Sequence, residues 1–179
     1  RQQGLAPADP ASAPDLADPT GLAARAAIES NLSSDELAGL LTSGFSDDLA
    51  TQYWADIGAN FLAFSGTGLQ DVTIGQESPV PGAADFTSVT LSTDDANGYV
   101  ILRKADSGWQ VDFSATIGPA LVGPLGDYLS SALEGDHAET IAAAYREAVV
   151  PGLDAAIALD PENTRLSFEA EFLRQLSGA

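Results

Sequence analysis

The chain has no cysteine and no methionine, a single histidine, His137, and a single lysine, Lys104. Without cysteine, the chain cannot form disulfide bonds, use a thiol in catalysis, or ligate zinc or an iron–sulfur cluster through sulfur. One histidine excludes multi-histidine metal sites within the chain, and its place just after Asp136 is typical of a solvated helix start. There is also no Walker A or dinucleotide-binding motif. We therefore predict no metal ion and no cofactor.

Basic residues are also scarce, 7 against 26 acidic ones, which gives a formal net charge of −19. A surface this negative repels phosphate backbones, so we predict that the chain binds no nucleic acid. No apolar run approaches the roughly 18 residues that a membrane span needs, so we predict no membrane insertion. The acidity fits solubility, a saline habitat or a GC-rich genome as well as it fits a cationic partner.

Residues 1–18 are rich in alanine, proline and aspartate and show no hydrophobic periodicity. This composition predicts a flexible linker, followed by a single domain over residues 19–179. The sequence opens at Arg1 without an initiator methionine. We therefore expect an exported protein (extracellular, periplasmic or in the cell envelope), resembling a lipoprotein tethered by a missing N-terminal anchor. The alternative is an N-terminal truncation of a cytoplasmic protein.

Helix-start signals come before any strand. Asp18-Pro19 is a cap residue followed by proline, and Ser33 with Glu36 has the spacing of a capping box, so two short helices are predicted. A longer third helix is predicted to begin at Ser46. Its apolar residues recur at helical spacing: Leu49, Tyr53, Ile57, Phe61 and Phe64.

Three apolar segments between Phe86 and Ile117, FTSVTLS, YVILRK and WQVDFSATI, are separated by turn residues. They predict consecutive antiparallel strands. Alternation in the third puts Trp109, Val111 and Phe113 on the apolar face and Asp112 on the polar one. An apolar loop, GPALVGPL, and further helices are predicted to follow. The order predicts an α+β fold, an antiparallel β-meander packed against N-terminal helices, with additional C-terminal helices.

N-terminal helices followed by a meander whose last strand begins Gly108-Trp109-Gln110-Val111-Asp112-Phe113 resemble the nuclear transport factor 2-like superfamily. Small exported actinobacterial proteins of that group carry a Gly-Trp-x-Val/Ile-Asp step in the last strands. The resemblance covers about residues 22–117 and implies a cystatin-related α+β cone, inside which the enzymes of the group place acids or histidines. The helices after Gly126 depart from the usual ending of the group, which is the last strand.

Aromatic residues of the long helix and of the meander predict an apolar pocket between them, with GPALVGPL as a lid. The candidate lining residues are Tyr53, Ile57, Phe61, Trp109, Val111, Phe113, Leu121 and Val122. The alternative is that these residues form an ordinary core. We expect Trp109 to be buried and to anchor the sheet on the helices.

Because no catalytic constellation is present, we predict a non-enzymatic exported domain that binds a small apolar ligand or an envelope protein partner. One alternative is an isomerase or dehydratase of the nuclear transport factor 2-like fold, with a buried acid as general base. Another is a helical protein-interaction module, in which residues 136–178 dock on a partner. A buried carboxylate facing an apolar cavity would favour the enzyme, and an exposed apolar face on the last helices would favour the module. The oligomeric state is left open.

Overall fold

A computed structural model describes residues 16–46, 48–55, 72–93 and 97–179 of the chain. Most of the predicted linker, residues 1–15, lies outside these ranges. The predicted α+β class is confirmed, because helices precede a four-stranded antiparallel sheet and further helices follow it. Within the described residues, no helix combines the length and the apolar character needed to cross a membrane.

The N-terminal helices begin at the predicted capping residues. Helix α1 is Pro19–Glu29, and the Gly21 N–H donates to Asp18 Oδ1 at 2.6 Å. Helix α2 is Ser34–Ser43, and it opens with the predicted reciprocal capping box of Ser33 and Glu36. The described part of α3 is residues 48–55.

The sheet is a meander of four antiparallel strands in the order β1-β2-β3-β4. Its strands are β1 (Thr73–Pro79), β2 (Phe86–Ser92), β3 (Asn97–Ala105) and β4 (Gly108–Val111). Phe86 lies opposite Arg103, and Lys104 lies opposite Trp109. Ala17 forms a parallel bridge with Val111, so the chain just ahead of α1 lies beside β4.

The last strand is shorter than predicted, because it ends at Val111 and Phe113–Thr116 forms a one-turn helix, α4. Asp112 begins that turn by accepting the Ala115 N–H, and the Ile101 N–H of β3 donates to Thr116 Oγ1. Strand pairing therefore stops where side-chain acceptors take the backbone donors. The face assignment for this segment was wrong: Trp109 is 46% exposed and Asp112 is buried.

The predicted GPALVGPL loop is also wrong, since these residues belong to helix α5, Gly118–Ala132. The proline that follows Gly118 is tolerated because it occupies the first turn, where no intrahelical N–H is needed. Gly118 lets another helix approach, because a Cβ there would lie 2.8 Å from Leu153 Cδ2. Val122 and Leu125 are buried in the core, so the segment is no lid.

The C-terminal helices α6 and α7 complete the fold. Helix α6 consists of Ala138–Ala144, a π-helical turn at Tyr145–Val149, and Val150–Leu159, and α7 is Thr164–Ser177. Pro151 has no N–H to donate to the Glu147 carbonyl, and Arg103 Nη2 donates to that carbonyl at 3.0 Å. The main core joins these helices to α1, α2 and the sheet through Leu37, Ile101, Leu129, Ile141, Tyr145, Leu153 and Leu173.

Candidate functional site

Two of the predicted pocket residues, Tyr53 and Phe113, meet in a small buried cluster with Leu22. The ring of Phe113 lies 5.8 Å from that of Trp54, and the guanidinium of Arg25 lies 5.4 Å above it. The Tyr53 hydroxyl donates to a carboxylate of α1 at 3.0 Å, and burial raises the pKa of this phenol. These contacts make the cluster a second part of the hydrophobic core within the described residues.

The other predicted pocket residues do not join this cluster. Leu121 and Val122 lie in α5 and pack into the main core, and Val111 is half-buried at the end of β4. Trp109 lines an open groove of about 360 Å³ beside Phe86 and Glu77. Ile57 and Phe61 lie outside the described residues, so the apolar pocket stays a prediction.

Two aspartates come together where α1, β4 and α4 meet, and we call Asp18 and Asp112 the acid junction. Asp18 is 5% exposed and bridges two elements: its Oδ1 accepts the Gly21 N–H, and its Oδ2 accepts the Phe113 N–H at 2.9 Å. Its own N–H donates to the Val111 carbonyl at 2.9 Å. The side chain therefore holds the start of α1 against the end of the sheet.

Asp112 is 0% exposed and is only half satisfied. Its Oδ1 accepts the Ala115 N–H at 2.7 Å, whereas its Oδ2 is buried with no hydrogen-bond partner among the described residues. Gly152 of α6 lies directly against it, because a Cβ at that position would be 2.6 Å from Asp112 Oδ1. A buried carboxylate oxygen with no donor is costly when charged, so this environment favours the protonated acid.

The pKa of both aspartates of the acid junction is raised. Burial, and then the negative charge of Asp18, raise the pKa of Asp112 to about 7. Burial also raises the pKa of Asp18, against the lowering effect of the Phe113 and Gly21 N–H donors and of Arg103. The pair therefore holds a proton more readily than two exposed aspartates would.

The acid junction has no described route for a substrate. Neither Asp18 nor Asp112 lines the groove beside Trp109 or a second groove of about 360 Å³ between α1 and α5. Over the described ranges, no three acidic or histidine side chains converge as a metal-binding set. A general base must come within hydrogen-bonding reach of its substrate, so nothing described assigns catalysis to this pair.

The outer side of α7 carries two exposed phenylalanines, Phe168 and Phe172, which we call the aromatic face. Phe168 is 76% exposed and Phe172 is 47% exposed, one helical turn further along. The opposite side of α7 is fully packed, with Leu166, Ala170 and Leu173 buried. Phe172 leans on α5, where a Cβ at Gly126 would lie 3.6 Å from its ring.

The charged residues around the aromatic face are largely paired with one another. Arg165 pairs with Glu169 at 2.8 Å, and Arg174 pairs with Asp154 at 2.5 Å and also with Glu171. These pairs offset the two arginines with carboxylates of the same surface. The result is two exposed rings beside arginines that are already paired with carboxylates, on a chain whose net charge is −19.

The sequence contains local signals for the acid junction and for the aromatic face. Asp112 is followed by Phe-Ser-Ala-Thr. An aspartate can accept the N–H of the residue three positions later and so begin a helical turn, which makes Asp112 a possible helix cap as well as a strand residue. Phe168 and Phe172 are spaced by four, and both lie two residues away from Ala170, which puts them opposite the Leu166–Ala170–Leu173 stripe.

The chain matches no protein-family model, and comparisons with curated proteins and with solved structures found no match either. Any statement of function therefore depends on the geometry of the chain itself.

Proposed function

We propose that this chain is a non-enzymatic exported domain that binds a protein partner through the aromatic face of α7. The observation that carries the proposal is the exposure of Phe168 and Phe172, 76% and 47%, on a helix whose other side is buried in the core. Paired exposed aromatic rings on a well-packed helix are typical of protein interfaces, where aromatic residues supply much of the binding energy.

The charge of the chain favours a particular kind of partner. A second copy would bring another formal charge of −19 to the interface, and anionic lipid headgroups would be repelled as well. Because Arg165 and Arg174 are already paired, the face offers little unpaired positive charge of its own. The expected partner is therefore a different protein, with an apolar groove for two phenyl rings and a basic surround.

The remaining interpretations have less support. Binding of a small apolar ligand depends on a pocket that includes Ile57 and Phe61, which lie outside the described residues. An enzyme with a buried general base has candidates in Asp18 and Asp112, but neither lines a described groove. Export still rests on the composition of residues 1–18, and the resemblance to the nuclear transport factor 2-like superfamily stays a prediction.

Site-specific photo-crosslinking tests the proposal. A benzophenone amino acid is placed at position 168 or 172 in cells that produce the protein, and at position 74 as the matched control. Ile74 is suitable because it is an apolar residue with 50% exposure on β1, far along the chain from α7. We expect one discrete heterologous adduct from positions 168 and 172 and none from position 74.

The outcomes separate the possible occupants. An adduct of twice the mass of the chain would mean that a second copy covers the face and would overturn the charge argument. The same adduct from all three positions, or none from any, would contradict the proposal. The adduct from position 168 should also decrease when Phe172 is replaced by serine and when ionic strength rises, because a basic partner is held partly by charge.

A further inference from the structure

We propose that the acid junction is a proton-sensitive latch, in which protonation of Asp112 keeps Ala17–Leu22 docked on the sheet and its ionisation loosens them. The geometry supplies both parts of such a device. Asp18 makes the connection, through its side-chain bond to the Phe113 N–H and its backbone bond to the Val111 carbonyl. Asp112 supplies the sensitivity, since its Oδ2 is buried next to that connection and no group in the described part of the chain donates to it.

The groups that face the junction come from β3, α1 and α6. Arg103 of β3 acts on both acids and lowers the pKa of each, but its Nη2 is committed to the Glu147 carbonyl. Arg25 of α1 lies over the Phe113 ring and pairs with Glu29 at 2.8 Å. From α6, Gly152 lies against Asp112 and brings no charge. Among the described residues, one arginine, Arg103, thus lowers the pKa of both carboxylates, so their joint ionisation leaves negative charge in excess.

The direction of the effect follows from the raised pKa of Asp112. An unfolded aspartate titrates near pH 4, and Asp112 in the folded chain titrates near 7. The stability gained from protonation is fully present below the unfolded value and is lost as the pH rises towards the folded value. The latch is therefore closed on the acidic side and loosens as the pH passes about 7.

Thermal unfolding of three proteins tests the latch: the wild type, Asp112→Asn, and Asp127→Asn as a matched control. Asparagine retains an oxygen that can accept the Ala115 N–H, so the cap of α4 survives. Asp127 is exposed on α5 and loses one negative charge in the same way. At about pH 8, we expect Asp112→Asn to melt about 4 °C above the wild type. The difference should be smaller at about pH 5 and gone below about pH 4, and Asp127→Asn should follow the wild type throughout. Parallel curves for the wild type and Asp112→Asn would overturn the proposal.

Hydrogen exchange and carbon NMR on the wild type keep the test decisive if Asp112→Asn fails to fold. Corrected for intrinsic rates, protection of the Gly21 and Phe113 amides should fall between about pH 6 and pH 8, while that of the Glu36 amide in the α2 cap stays constant. Equal changes at the two caps would contradict the latch. So would a carbon spectrum in which every aspartate carboxyl titrates below about pH 5, as exposed aspartates do.

Discussion

The acid junction and the aromatic face reverse the usual distribution of side chains in opposite ways. At the junction, two carboxylates lie inside the protein, one of them 0% exposed, and backbone N–H groups and one arginine stabilise them. On α7, two phenyl rings lie outside, although the same helix buries Leu166, Ala170 and Leu173 with little remaining exposure. Buried polar groups and clustered exposed apolar groups are the departures that carry information about a protein.

The two regions differ in how strongly they depend on contacts with the rest of the fold. The carboxylates are held by contacts from α1, β4, α4 and α6, so a change in any of these elements should reach them. The phenyl rings are 76% and 47% exposed, so we expect them to change with little effect on the fold. The junction should therefore respond mainly in stability and the face mainly in binding.

The largest expected effect comes from a methyl group placed against the junction. In Gly152→Ala the new Cβ would lie 2.6 Å from Asp112 Oδ1, 2.7 Å from Ser114 Cβ and 2.9 Å from the Ala115 nitrogen. Because one of these is a backbone atom, we expect a loss of about 3 kcal/mol in urea unfolding. Gly39→Ala in α2 is the control, since nothing lies within 4 Å of its Cβ and helix propensity should stabilise it by about 0.5–1 kcal/mol. Equal stability of the two variants would show that α6 does not press on the junction.

Replacing the arginine that faces both acids should have an intermediate effect that depends on pH. Arg103→Met removes a charge that lowers the pKa of Asp18 and Asp112, so the ionised pair becomes more costly. The variant should lose about 1–2 kcal/mol more at about pH 8 than at about pH 5, where Asp112 is protonated. Arg165→Met is the control: Arg165 is 75% exposed and pairs with Glu169 rather than with the two aspartates, so any loss should be the same at both pH values. A loss for Arg103→Met that is independent of pH would mean that its bond to Glu147 is its whole contribution.

The smallest expected effect on stability comes from replacing exposed aromatic residues. Phe168→Ala should change the free energy of unfolding by less than about 0.5 kcal/mol, because most of the ring is already in water. Trp109→Ala should cost less than about 1 kcal/mol, because Trp109 is 46% exposed, in contrast to the anchoring contribution that the alternation pattern predicted. Chemical denaturation measures both. A loss above about 2 kcal/mol for Phe168→Ala would show that this ring stabilises the fold and would remove it from the aromatic face.

Local signals predicted the parts of the fold that depend on short-range chemistry. The Asp18-Pro19 cap and the Ser33–Glu36 box gave the starts of α1 and α2, because each motif satisfies backbone donors within four residues. The meander was predictable in the same way, from turn residues between alternating strands. Asp18 was recognised as a cap, but its second bond, to the Phe113 N–H, spans 95 positions and has no local pattern.

Other features depend on packing between distant segments. The sequence WQVDFSATI alternates apolar and polar residues past Val111, where the strand ends. The helical turn that follows also buries Phe113 and Ala115, so the alternation does not show where the strand stops. Glycine and proline indicated a loop at residues 118–125, whereas Gly118 is there to admit Leu153. Phe168 and Leu166 both fit a helix, and which side of α7 faces the core is decided by α5 and α6. Exposure of the aromatic face was therefore not predictable from spacing alone.

The bond from Arg103 to the Glu147 carbonyl has a consequence for how the chain folds. Arg103 of β3 donates to the Glu147 carbonyl the hydrogen bond that Pro151 cannot donate, and the two bonded residues lie 44 positions apart in the sequence. The π-helical turn of α6 thus gains its partner only after the meander has formed, and the meander gains a support for Arg103 only after α6 is in place. Neither half is complete as a separate fragment, so we expect the described sheet and C-terminal helices to unfold in one cooperative transition.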